Sequence, residues 1–389
     1  MTRIDPPPFR DDPDLALIWD ALPSARVIGG AVRDSLAGRA VADIDLAGPQ
    51  LPDAAAASLR AAGIRVVPTG LAHGTVTAVV NGRGFEITTL RRDISTDGRH
   101  AVVAFTTDFR EDAARRDFTI NAMSMGRDGS VFDYFGGIED LRAGRVRFVG
   151  DPAERIMEDY LRVLRYFRFY ARYAAQPPDE PTRLALRNGV PGLEQLSKER
   201  IWHELRLLLS VPAPEATVGL MEELGVWSAA MPEALAIDRL AGLPSDAILR
   251  TAAMLTGDPV ALATRLKLSN DDRDRLLRLL ATPSVAPEAD DADLRRLLAD
   301  HRKPDLLDRT WLDRAPARLR ERIAAMAEPV FPLEGRDVLA AGLLPGPQVG
   351  ALLRAVRQWW LDSGCTADRA ACLAELARRA DRSKIVPKR

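Results

Sequence analysis

The sequence predicts an α+β protein: a head with a small mixed β-sheet, followed by an all-α neck, body and tail. Three observations carry this. Short β-branched runs broken by turns fill residues 25–150. From about residue 151, Leu, Ala and Arg recur at helical spacing, and the breaks in that region are Pro-rich: "AAQPPDEPT", "VPAPE", "TPSVAPEADDAD" and "AEPVFPLEG". The expected segments are 1–24 as an N-terminal stretch, 25–150 as the head, 151–210 as a helical neck and 211–389 as a helical body and tail.

In order along the head, "ARVIGG", "DIDLA", "GTVTAVV", "GFEITTL" and "VFDYF" read as strands. "AVRDSLAG" reads as a short helix ending at Gly38, and "PDAAAASLRAAG" as a second helix. Residues 91–114 are polar and contain glycine. The stretch 154–173, "ERIMEDYLRVLRYFRFYARY", reads as one amphipathic helix. Ile156, Tyr160, Val163, Leu164, Phe167 and Ala171 form its apolar stripe. "GLLPGPQVGALL" reads as a Pro-capped helix start, and the tryptophans of "RQWW" (357–360) as core.

Composition narrows the function classes. The chain has 389 residues, 47% hydrophobic and 28% charged, with a net charge of −1. It is an ordinary globular chain, and any nucleic-acid site must be a local basic patch. No apolar run is long enough for a transmembrane helix, and the N-terminus lacks signal-peptide character, so the expected compartment is the cytoplasm. Cys365 and Cys372 are too few for a disulfide framework or a zinc site.

Two stretches carry chemistry. In "DIDLA", Asp43 and Asp45 stand two residues apart on an extended chain, hence on one face. Paired oxygen ligands suit hard cations such as Mg²⁺, the arrangement used in two-metal phosphoryl or nucleotidyl transfer. A solvated strand end is the other reading. Gly29-Gly30 lies just before, between strand and helix. Residues without Cβ there let backbone N–H groups approach a phosphate chain, and Arg33 follows one turn later. Glu86, an acid within a β-favouring run, is either a third catalytic carboxylate or an exposed strand residue. Arg115-Arg116 beside Asp117 is either functional or a surface ion-pair cluster.

The second stretch is the acid–arginine group Glu158, Asp159 and Arg162, with Arg155, Arg165, Arg168 and Arg172 around it. One reading is an i,i+3 salt bridge on a solvated helix. The other is recognition of a base. Cytosine and adenine each present an amino donor beside a ring-nitrogen acceptor; guanine and uracil present a carbonyl beside an N–H. A carboxylate held next to a guanidinium therefore satisfies C and A and leaves buried groups unpaired against G and U.

"GGAVRDSLAGRAVADIDLA", "RRDFTINAM" (115–123) and "EDYLRVLR" (158–165) together resemble the bacterial class II CCA-adding tRNA nucleotidyltransferase and poly(A) polymerase family, within the polymerase-β-like superfamily. "FDYFGGIEDLRAGRVRFVG" and "KERIWHEL" resemble its adjoining blocks. The resemblance implies a nucleotidyltransferase head and tRNA-binding helices, with CTP and ATP as substrates and pyrophosphate as product. It implies that Asp43 and Asp45 bind Mg²⁺, and that Gly30, Arg33 and Arg116 contact the triphosphate with Asp117 near the ribose. It implies base reading by Asp159 and Arg162, with Arg165 and Arg168 assisting. In this family residues 91–114 occupy the place of a flexible loop that favours complete CCA addition. A poly(A) polymerase, a CC-only enzyme, and an RNA-binding protein on an inactive fold stay open. None of His73, His100, His203 and His301 is followed by Asp, so no His-Asp phosphohydrolase is expected.

Overall fold

The computed structural model describes residues 2–3, 9, 11–41, 43–70, 74–97, 100–342 and 344–385. His73 lies outside them. Residues 1–241 with 265–267 form one compact unit, and 242–264 with 268–389 a second.

The first unit is built on an eight-stranded sheet. Its strands are β1 (Thr2–Arg3), β2 (Arg26–Ile28), β3 (Leu46–Gly48), β4 (Arg65–Gly70), β5 (Thr75–Val80), β6 (Arg83–Thr89), β9 (Met123–Met125) and β10 (Ser130–Asp133), in the order β1-β10-β9-β2-β3-β6-β5-β4. Between β6 and β9 in sequence, β7 (Arg91–Asp97) and β8 (His100–Phe105) pair as a separate antiparallel ribbon. All neighbours in the large sheet are antiparallel except β3 and β6, which run parallel with Leu46 opposite Ile87. That pair lies inside the sheet, and on one side of it β5 alternates half-buried with buried residues, as a one-faced strand does. The helices α1 (Pro13–Ala21), α2 (Gly30–Leu36) and α3 (Pro52–Ala61) follow in the chain. Leu15, Ile18, Trp19, Leu59, Val27, Leu46, Phe85 and Met125 close the core between helices and sheet.

The structure departs from the sequence-based expectation in four places. Strand β3 starts at Leu46, so Asp43 and Asp45 stand on the extended chain just before it. Their face-sharing survives, because Asp43 and Asp45 are exposed while Ile44 and Leu46 are buried. Ile28 N–H donates to the Asp45 carbonyl at 3.0 Å, so the segment continues the β2 pairing for one more residue. Strands β4 and β9 were not anticipated. Pro68 inside "RVVPTG" and the methionines of "MSM" carry little β signal, and pairing with β5 and β2 supplies it. Residues 91–114 are not a plain loop: the ribbon is followed by α4 (Phe109–Ala114), capped by Asp108, whose side chain accepts from Arg110 N–H at 2.8 Å.

The fourth departure bears most on function. After α5 (Gly137–Ala143), the stretch 154–173 is not one helix but two, α6 (Pro152–Glu158) and α7 (Leu161–Tyr173). Asp159 has an extended backbone, φ −156° and ψ 107°, and its Oδ1 accepts from Leu161 N–H at 3.0 Å. A short acid within a helical period competes for backbone donors and favours a helix start, which is what happens here. The apolar stripe holds, with Ile156, Val163, Leu164 and Phe167 all buried.

The break is held by α8 (Glu180–Asn188) and the 3₁₀ turn Val190–Gln195. A Cβ at Gly192 would lie 2.1 Å from the Tyr160 ring. Gly192→Ala is expected to destabilise by about 1–3 kcal/mol through overpacking, read as a fall in Tm of roughly 2–4 °C per kcal/mol. An unchanged Tm would mean that Tyr160 has another place to go. Finally α9 (Lys198–Leu209) packs alongside α7, and shorter helices run to Ala230.

The described residues of the second unit fold as helices, including Asn270–Ala281, Asp291–Asp300, Lys303–Leu312, Pro347–Asp362 and Arg369–Ile385. Its cores centre on Leu294, Leu306 and Ile323, and on Val356, Trp360, Cys372 and Leu376. Trp360 is buried and Trp359 packs on the same cluster, as the Leu-rich context predicts. Cys365 and Cys372 are free and buried.

Candidate active site

The first unit contains an open pocket of about 450 Å³. Gly29, Gly30, Arg33, Arg115, Arg116, Asp117 and Asn121 line it from the head, and Asp159, Leu161, Arg162, Arg165, Phe169 and Arg200 from α7 and α9.

On the head side, Gly29 turns β2 into α2 at φ +62°, and a Cβ there would come within 3.1 Å of Arg116 Nη1. Glycine serves both needs: a left-handed backbone and close approach to a guanidinium. Arg33 is buried and pre-set. It donates to Asp34 Oδ1 and Oδ2 at 3.1 and 3.0 Å and to Asn121 Oδ1 at 2.5 Å. Tyr173 Oη donates to the same Asp34 at 2.5 Å. Arg116 is held by the buried Asp112 at 3.2 Å, which also takes Arg115 Nε at 3.0 Å. These acids fix the arginines in place of mobile surface geometry, the condition for electrostatic preorganisation.

Asp117 is the hub between head and helices. Its Oδ1 accepts from Phe118 N–H at 2.8 Å and Asn121 Nδ2 at 3.0 Å; its Oδ2 accepts from Arg165 Nε and Nη2 at 2.8 and 2.5 Å. Four donors from within the protein already stand on this carboxylate, two of them from Arg165. Phe118 and Phe148 pack beside it onto Tyr166 and Phe169 of α7, with ring centroids 4.9–6.0 Å apart. Arg165 also faces the buried Glu204 of α9 at 3.6 Å, which pairs with Arg168 at 3.0 Å. Burial pushes the Asp117 carboxyl up, but Arg165, Asn121 and the Phe118 N–H outweigh it and hold the group below the ordinary carboxylate range.

A depressed folded-state value has a definite sign. The stabilisation is present above the unfolded value, about 3.9, and is lost as pH falls through the folded one. Asp117→Asn is therefore expected to cost about 1–3 kcal/mol at neutral pH, because it takes from the half-buried Arg165 its closest carboxylate and leaves it Glu204 at 3.6 Å and the Phe169 ring. It should also flatten the acid limb of a Tm-against-pH curve. A variant with the wild-type acid limb would sink this account.

On the helix side, Asp159 and Arg162 share the pocket but are not paired with each other. Asp159 Oδ2 accepts from Arg200 Nη2 at 2.7 Å. Arg162 pairs with Glu158 and donates to the Arg155 carbonyl at 2.7 Å. The expected intrahelical acid–arginine pair is thus replaced by two separate holders, since the break at Asp159 swings the carboxylate off the α7 face. Glu158 does not line the pocket; it pairs with Arg155 and Arg162. Buried Arg155 in turn donates to the carbonyls of Arg115 and Arg116 at 2.5 and 2.8 Å, tying α6 to the arginine segment. Arg168 lines a neighbouring cavity with Arg33, Arg172 and Tyr173.

Asp43, Asp45 and Glu86 lie outside the pocket lining. Parallel pairing of Leu46 with Ile87 sets Asp45 beside Glu86 on the opposite face. Although the residue is exposed, lost hydration first, and then the facing Glu86 and Asp43 carboxylates, hold Asp45 above its ordinary range, with Arg116 opposing. None of the three has an ion-pair partner among the described residues, so this is a set of carboxylate oxygens whose mutual repulsion is only partly offset, by Arg116. No group of three carboxylates forms a preformed cage among the described residues. The oxygen-only donors of Asp43, Asp45 and Glu86 are of the kind Mg²⁺ takes, an ion ordinarily held by one or two carboxylates together with substrate phosphates.

Asn121, Leu161, Phe169 and Arg200 are pocket residues that the sequence reading did not single out. Arg200 had one signal, its position in "KERIWHEL". Conversely His203, in that same stretch, is exposed and off the pocket.

A family model described as the Poly A polymerase head domain matches residues 25–147, and one described as the probable RNA and SrmB-binding site of polymerase A matches 178–237. The chain is 36% identical over 360 residues to the CCA tRNA nucleotidyltransferase 1, mitochondrial, of Mus musculus, covering 87% of this chain and 83% of that protein. It is 31% identical over 365 residues to the CCA-adding enzyme of Levilactobacillus brevis, covering 88% and 90%. The Bacillus stearothermophilus CCA-adding enzyme, solved in complex with CTP, matches with a TM-score of 0.75 at 28% identity, over 97% of this chain and 99% of that one.

Proposed function

The chain belongs to the CCA-adding tRNA nucleotidyltransferases, and on that premise we propose that it adds CCA to tRNA 3′ ends from CTP and ATP without a nucleic-acid template. The observation that carries the reading is the single pocket in which Gly29, Gly30, Arg33 and Arg116 meet Asp159 and Arg162. The residues proposed to take the triphosphate and those proposed to read the base thus line one pocket.

In this reading the tRNA 3′-hydroxyl gives its proton to solvent as its oxygen attacks the α-phosphorus, and the bond to pyrophosphate breaks in line. Gly29 and Gly30 let the triphosphate approach the backbone. Arg33 and Arg116, pre-set by Asp34, Asn121 and Asp112, neutralise the leaving pyrophosphate. Mg²⁺ held by Asp43 and Asp45, with Glu86 adjacent, would supply charge neutralisation at the attacking and leaving oxygens. Asp159 accepts from the base amino group and Arg162 donates to its ring nitrogen, which admits C and A. Arg165, held by Asp117 and Glu204, and Arg168 add positive charge beside the nucleotide. The helical segments take the tRNA mainly through phosphates and shape.

No helix among the described residues is long and apolar enough to cross a membrane. A cytoplasmic location is part of the same proposal and is checked by fractionation.

The test is incubation of purified protein and Mg²⁺ with tRNA transcripts ending at the discriminator base, at C and at CC. The four nucleoside triphosphates are supplied singly and together, and products are read at single-nucleotide resolution. Termination at CCA with GTP and UTP refused is the expected result. A stop at CC would assign the final A to another enzyme. An adenosine ladder on any RNA would make it a poly(A) polymerase, and no incorporation would leave RNA binding alone.

A further inference from the structure

We propose that Arg200 is a positioning residue that locks the Asp159 carboxylate and thereby sets base selectivity; the inference rests on the base-reading role given above to Asp159. Asp159 is pinned at both oxygens. Oδ1 accepts from Leu161 N–H at 3.0 Å and Oδ2 from Arg200 Nη2 at 2.7 Å. A carboxylate has about four lone-pair sites, so two remain for the amino group of a bound base. Arg200 therefore adds to base binding without displacing it. What it removes is rotation. A carboxylate free to swing could turn away from the carbonyl of guanine or uracil and soften the penalty of an unpaired acceptor.

The holder comes from another element. Arg200 is on α9, 41 positions along the chain from Asp159. Glu204, one turn further on the same helix face, engages Arg165 and Arg168 of α7. One face of α9 thus holds the acid at the head of α7 with a cation, and the α7 arginines with an anion. Arg200 is itself partly open, with a side-chain exposure of 31%, and lines the nucleotide pocket. It is therefore available to this role in a way the buried Glu204 is not.

The experiment measures kcat and KM for each of the four nucleoside triphosphates on tRNA ending in C and in CC, for wild type, Arg200→Ala, Arg200→Lys, Asp159→Ala and the Asp159→Ala/Arg200→Ala double variant. Arg200→Ala is expected to raise KM for CTP and ATP about tenfold with little change in kcat, and to narrow their advantage over UTP and GTP by a similar factor. Arg200→Lys, which keeps a donor, should recover part of the selectivity. In the Asp159→Ala background, loss of Arg200 should add nothing. An equal fall in kcat for all four nucleotides with selectivity intact would overturn the proposal, as would a full additional loss in the double variant. If Arg200→Ala loses its fold, Arg200→Gln is read by the same criteria. Wild-type protein that extends no tRNA removes the parent reading itself, an outcome distinct from active wild type with an indifferent Arg200.

Discussion

Asp45→Asn is expected to abolish nucleotide incorporation, by at least about 10³-fold in kcat, while leaving Tm at neutral pH level or higher. The two halves come from the same geometry. Asp45 faces Glu86 and Asp43 with no basic side chain paired to any of them among the described residues, and its carboxyl is held above its ordinary range. For an acid raised in the folded state, the folded protein binds the proton more readily than the unfolded chain. Stability therefore falls as pH rises through the folded value, and the charged form is a net cost at pH 7. Removing that charge relieves the fold and deprives the site of its hard oxygen ligand. The check is incorporation on a CC-ending tRNA beside a thermal melt. An inactive variant whose Tm drops by several degrees would mark Asp45 as structural, and an active one would end the metal assignment.

Arg162→Ala is expected to lower kcat/KM for CTP and ATP by about 10²-fold and to bring both close to UTP and GTP. The fold should survive, because Glu158 retains Arg155, and Arg155 keeps its bonds to the carbonyls of Arg115 and Arg116. Arg162→Lys should restore little selectivity, since an ammonium is a point donor without the planar fork that a base edge requires. Rates measured with single nucleotides decide it. If all four nucleotides fall equally, Arg162 serves the triphosphate and does not read the base.

Much of this site was legible in the chain because its chemistry is written in short spacings. Gly29-Gly30 with Arg33, the Asp43/Asp45 alternation, Arg116-Asp117 and the Asp159/Arg162/Arg165 group all come from local patterns, and most of them line one pocket. The α+β division was equally plain, since periods of 2 and 3.6 separate the head from the helices. The partners of these side chains were not legible. Nothing local says that Asp159 breaks its helix and turns to Arg200, that Glu158 takes Arg162 instead, or that Asp117 is consumed by Arg165.

What the sequence by itself determined is which residues are available and which elements carry them: backbone preference, hydrophobic period and charge type act over a few residues. Only the tertiary structure decided who meets whom. Ion pairs such as Asp117–Arg165 and Asp159–Arg200 join positions 48 and 41 residues apart. They form because packing α7 against α9 and the Phe118–Phe148 segment takes those charges partly out of water, where each must find an opposite charge or pay for its lost hydration.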